Sequence, residues 1–82
     1  MTTSRATEPG RPVVATAVEI DDVELHVDLS DGRRLSVPLA WFPRLLNATA
    51  AQRTAWRFIA GGEGIHWDEI DEDLSVRGLL RA

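Results

Sequence analysis

His66 stands between Ile65 and Trp67, and an acidic run, Asp68, Glu69, Asp71, Glu72 and Asp73 with Ile70 among them, follows at once. An imidazole near carboxylates is the combination from which general bases and ligand anchors are built. Catalysis also needs a positioned partner. The other histidine, His26, lies far away in sequence on the polar side of an alternating segment, so the simpler role for His66 is a structural histidine donating to backbone. The acidic run could hold calcium or magnesium, but an EF-hand needs acidic or amide residues at alternate positions, a central glycine and a final glutamate, and this spacing does not match. A solvated loop, or a docking patch for a basic partner, fits the run better. Gly61-Gly62-Glu63-Gly64 is rich in glycine, yet no lysine completes a phosphate-binding loop. Arg33 with Arg34, and Arg53 with Arg57, read as solvated faces or ion-pair partners. Trp41, Trp56 and Trp67 could wall a ligand cage. In so small a chain, tryptophan is first of all core filling, and one found largely exposed would mark an interface anchor.

The chain around these residues has 82 residues, no cysteine and a formal net charge of −4. One small domain is expected, gaining from a dense core or a partner. Without cysteine there are neither disulfides nor thiolate metal sites, and no apolar run approaches a membrane span or a signal-peptide core, so a cytoplasmic protein is expected. The five carboxylates between 68 and 73 exceed the whole net charge, leaving the remainder slightly basic. A general nucleic-acid-binding role is disfavoured, because phosphate backbones call for a basic face.

The elements that must position these side chains centre on the stretch from Ser36 to Thr49, where strand chemistry gives way to helix chemistry. Residues 1–12 are polar, with two prolines and a glycine, and read as a flexible tail; residues 13–82 form the domain. Val14, Thr16, Val18 and Ile20 alternate with Ala15, Ala17 and Glu19 as in a strand. Asp21-Asp22 is a turn. Val23, Leu25, Val27 and Leu29 alternate strictly with Glu24, His26 and Asp28. Ser30-Asp31-Gly32-Arg33 is a hairpin turn, and Leu35, Val37 and Leu39 complete an antiparallel meander. Pro43 suits a first helical turn, with Phe42, Leu45 and Leu46 on one helical face. Thr49 and Gln52 form a capping box opening a second helix, expected to run to about Ile59 or Ala60 and to stop at Gly61-Gly62. Gly64 to Trp67 could be a fourth short strand. Residues 68–73 read as a loop, and Ser75 caps a last helix whose buried side is Val76, Leu79 and Leu80.

From about Val13 to Leu80 the chain resembles a bacterial family catalogued as domain of unknown function 2442. The resemblance rests on Leu29-Ser30-Asp31-Gly32-Arg33, on Val37 through Leu45, on Gln52-Arg53 with Trp56, on Gly62 through Trp67, and on Asp71 through Val76 with Gly78-Leu79-Leu80. The chain departs from the family pattern at Ala40, where a serine is common, and at Ala50-Ala51, where proline-glutamate is common. It departs again at Asp68 for proline and Arg77 for glutamate. The resemblance implies a small α+β domain with no known active site. It also implies a neighbouring gene for another small protein, in the manner of a toxin–antitoxin pair. Some family members carry a helix-turn-helix domain afterwards, which is not expected within these 82 residues.

The fold expected is therefore α+β, a three- to four-stranded antiparallel sheet with two or three short helices packed on one face. The function expected is a non-enzymatic protein-interaction module, an antitoxin-like partner of a small co-encoded protein. Its candidate surface is Asp68, Glu69, Asp71, Glu72 and Asp73 with His66 and Trp67. No catalytic residue, cofactor or metal is assigned, and neither nucleic acid nor membrane is expected as a partner. A dimerisation or regulatory domain linked to transcription control, and hence a homo-oligomer, is the alternative. A ligand-binding or hydrolytic domain built on His66 ranks third.

Overall fold

The computed structural model describes residues 12–81, so the expected tail lies outside the described residues except for Pro12. Strands β1 (Ala15–Ile20), β2 (Glu24–Leu29) and β3 (Arg34–Pro38) form the antiparallel meander that the alternation requires. Leu25, Val27 and Leu29 of β2 are buried while Glu24, His26 and Asp28 point away, and Leu25 pairs with Val37 and Val27 with Leu35. The first strand departs from simple alternation. A register shift between Ala15 and Ala17 places Ala15 in the core and leaves Thr16 exposed, while Val18 and Ile20 stay half-buried. A bulge inserts one extra residue and so exchanges the faces on its two sides. In the β1–β2 turn Asp21 accepts from the backbone N–H groups of Val23 and Glu24, at 2.8 and 2.6 Å. In the β2–β3 turn Gly32 takes φ +93°, the backbone region that favours glycine.

A 3-10 turn at Leu39–Trp41 leads into α1 (Pro43–Leu46), with Pro43 at the helix start. Helix α2 (Ala50–Thr54) opens with the expected capping box, Thr49 and Gln52 each bonding the other's backbone N–H. It does not continue to residue 59 or 60. Ala55 leaves helical geometry, and Trp56–Ile59 forms strand β4. Trp56 and Phe58, two residues apart, have ring centroids 4.9 Å apart, a neighbourhood that a strand offers at that spacing and a helix does not. Gly61 and Gly62, at φ +66° and +95°, turn the chain from β4 into β5 (Gly64–Trp67) instead of ending a helix. Strand β6 (Glu72–Ser75) takes in the last two residues of the expected acidic loop, and α3 (Val76–Arg81) follows. The Ser75 hydroxyl accepts from the Gly78 N–H at 2.9 Å, as a cap does. Val76 and Leu79 are buried in α3, but Leu80 is exposed, against expectation.

Among the described residues the fold is thus α+β with three short helices and two three-stranded antiparallel sheets, β1-β2-β3 and β4-β5-β6, in place of one sheet of three or four strands. One cluster serves both sheets: Leu25, Val27, Leu39, Leu45, Ile65, Trp67 and Val76 are fully buried. The sheets approach closely at Gly62, where an added Cβ would lie 2.9 Å from the Ala15 carbonyl oxygen and 3.1 Å from the Val14 Cβ.

Candidate functional site

Each sheet carries one histidine on its middle strand, facing away from the core. On β5, the pairing register places His66 between Arg57 of β4 and Asp73 of β6. Its Nε2 lies 3.1 Å from Asp68 Oδ1 and its Nδ1 3.8 Å from Asp73 Oδ1, so its neighbours are carboxylates and not the expected backbone. Arg57 grips Asp68 with two bonds, Nε at 3.0 Å and a terminal nitrogen at 3.2 Å. This bond from Arg57, helped by the charges of Arg57 and His66, holds the Asp68 carboxyl below its ordinary range. The row is a solvated ion-pair ladder. Neither a groove of about 770 Å³ between α3, β6 and the β4–β5 turn nor a shallow cavity of about 430 Å³ on the first sheet is lined by His66. Neither cavity therefore seats a substrate against His66.

The acidic residues occupy different settings. Asp68 and Asp73 belong to the His66 row, Glu72 is half-buried opposite Trp67, and Glu69 and Asp71 lie exposed in the β5–β6 turn. Trp67 is not a surface residue. It is fully buried, and its indole N–H donates to the Arg53 carbonyl at 3.0 Å. Of the three tryptophans only Trp67 is complete core filling; Trp56 is half-buried, and Trp41 keeps 53% of its surface exposed.

Trp41 is the most informative of these side chains. It sits in the 3-10 turn before α1, where Leu46 is also exposed. The Leu39 N–H donates to the Val23 carbonyl at 2.8 Å, which brings the β1–β2 turn, and the exposed Val23, against the same 3-10 turn. Two arginines brace this corner. Arg53 donates to the Leu45 and Leu46 carbonyls at 2.9 and 2.8 Å and lies 3.5 Å from Asp22. Arg44 of α1 donates to the Asp71 carbonyl. The elements that carry the exposed Trp41, Leu46 and Val23 are thereby tied to two acidic turns, to Asp21-Asp22 through Leu39 and Arg53 and to Asp71 through Arg44. The alternation and cap signals of the sequence carry no information on this, because exposure of Trp41 depends on how α1 docks.

The polar face of the first sheet holds a second cluster, on residues to which the sequence reading assigned no role. His26 faces Glu19 and Ser36 across its neighbours. Ser36 Oγ lies 2.7 Å from Nδ1, and Asp21 Oδ2 lies 3.0 Å from Nε2. The bond to His26, with the N–H groups of Glu24 and Val23, brings the Asp21 carboxyl down to about 2. Ser36, His26 and Asp21 are linked in the order of a hydrolase triad but with the ring nitrogens exchanged, the serine on Nδ1 and the carboxylate on Nε2, and they border the shallow cavity of the first sheet. Asp21, Glu24 and His26 also form the only group of three metal-ligating side chains gathered among the described residues, and the run 68–73 contributes none. The signal for this was the hairpin register: a tight turn at Asp31-Gly32 sets His26 opposite Ser36.

A crystal structure of a protein of unknown function from Rhodospirillum rubrum superposes with a TM-score of 0.75 at 29% identity, covering 87% of this chain and 88% of that one. Among curated proteins nothing matches. The family model for a protein of unknown function, DUF2442, matches residues 15–82, both sheets and all three helices together, and the chain belongs to that family.

Proposed function

We propose that this domain is a non-enzymatic protein-interaction module whose partner is a small basic protein, co-encoded in the manner of an antitoxin's toxin. The exposure of Trp41 carries this reading. A half-exposed tryptophan gives up its surface to water unless a partner covers it, and tryptophan is over-represented among residues that dominate interface energies. The two acidic turns beside it supply the polar rim and favour a partner with a basic one, which raises the association rate and selects against acidic competitors.

The test is co-expression with the flanking genes, followed by affinity measurement on the purified pair. Trp41→Ala is expected to weaken binding more than tenfold, since truncating an anchor of this kind costs about 2 kcal/mol or more. Reversing the charge of Glu69 and Asp71 is expected to slow association mainly, with a reduced salt dependence. A stoichiometric complex indifferent to both changes would overturn the assignment of this surface. Self-association of the purified domain, measured by light scattering and abolished by Trp41→Ala, would instead identify a second copy of the chain as the occupant.

A further inference from the structure

We propose that Asp21, Glu24 and His26 are the protein ligands of a divalent metal site, with zinc the ion that their chemistry fits best. The proposal is independent of the interaction surface. One donor atom from each residue lies within 4.8 Å of the other two. His26 Nε2 is 3.0 Å from Asp21 Oδ2 and 3.9 Å from Glu24 Oε1. Two donors bound to one zinc at its usual bond lengths stand roughly 3.0–3.6 Å apart. The first pair already has that separation, and a torsional change of the half-buried Glu24 side chain supplies the second.

Two observations outside the ligand set support it. Ser36, from the neighbouring strand, holds the other ring nitrogen at 2.7 Å. When Nδ1–H donates to that hydroxyl, the Nε2 lone pair is left facing the Asp21 oxygen, and a cation there takes the position that a hydrogen-bonding proton otherwise holds. An acceptor on the far nitrogen is the outer-shell support that metal-bound histidines have. The cavity of about 430 Å³, bordered by Asp21, His26 and Ser36, leaves room for water to complete the coordination. An imidazole with two carboxylates is a borderline donor set, which favours zinc or a similar transition ion over calcium or magnesium, both of which prefer oxygen ligands throughout.

The experiment is titration of the full, metal-stripped chain with zinc by calorimetry, and with cobalt(II) as a visible-absorbing substitute. One equivalent is expected to saturate the protein, with the His26 imidazole resonances selectively broadened by cobalt. Asp21→Asn keeps an oxygen for the turn's two N–H groups and removes the anionic donor; it should abolish the cobalt band, as should His26→Gln. Ser36→Ala should weaken binding about 10–100-fold, the usual consequence of losing an outer-shell partner. Backbone amide spectra of each metal-free variant establish that the fold persists. Absence of saturation, or saturation unchanged in Asp21→Asn and His26→Gln, would overturn the proposal.

Discussion

At Gly62 the β4–β5 turn approaches the start of β1 closely, and replacing it with alanine should separate steric from conformational effects. Its φ of +95° lies in the region that L-residues avoid, which costs an alanine about 1–2 kcal/mol. The new Cβ would also stand 2.9 Å from the Ala15 carbonyl oxygen and 3.1 Å from the Val14 Cβ. Relieving an overpacked contact of this kind costs about 1–3 kcal/mol more, so Gly62→Ala should destabilise by about 2–5 kcal/mol. A chain of this length has about 4–12 kcal/mol in total, so the loss is a large share. Gly61 is the built-in control. It has φ +66°, but nothing lies within 4 Å of an added Cβ, so Gly61→Ala should show the conformational cost alone, about 1–2 kcal/mol. Urea unfolding of the two variants beside the parent measures both, with unchanged denaturant slopes. Equal losses for the two variants would refute the close approach of the sheets at Gly62.

Further expectations concern the tryptophans and the ion-pair ladder. Trp67→Ala should cost about 3–5 kcal/mol and leave the domain largely unfolded at moderate temperature, whereas Trp41→Ala should change stability by less than about 0.5 kcal/mol in the same melting experiment. Asp68 has a lowered pKa in the folded state, so between its ordinary value of 3.8 and its folded value the unfolded chain binds more protons. Its contribution is present above pH 3.8 and is lost as pH falls through the folded value; Arg57→Gln, which removes the largest cause, should flatten stability against pH in that acid window while leaving it unaltered in shape near neutrality.

The parts of the fold that were legible rest on short-range rules. Strict alternation from Val23 to Leu29 can be satisfied only by a half-buried strand, and Asp31-Gly32 supplies the conformation that a tight hairpin needs. Thr49 with Gln52, and Ser75 with Gly78, are caps completed within three residues. The second sheet was hidden for the complementary reason. Trp56, Ile59 and Ala60 fit one face of a helix, and Trp56 with Phe58 fits one face of a strand; four residues cannot distinguish the two periods. Pairing with Gly64–Trp67 decided it, by covering Ile65 and Trp67 on both flanks. The acidic residues misled in the same way: Glu72 and Asp73 look like loop, yet Leu74 beside Ile65 draws them into β6.

Sequence alone therefore determined the α+β class, the meander, its turns and the helix starts, because each follows from interactions between residues within a few positions of one another. Tertiary structure decided which tryptophan is core and which is surface, and it gathered Asp21, His26 and Ser36 from one turn and two strands. Burial and register are properties of the whole packed chain: the free energy of covering Trp67 or exposing Trp41 is set by what the distant segments leave uncovered, and no local window contains that information.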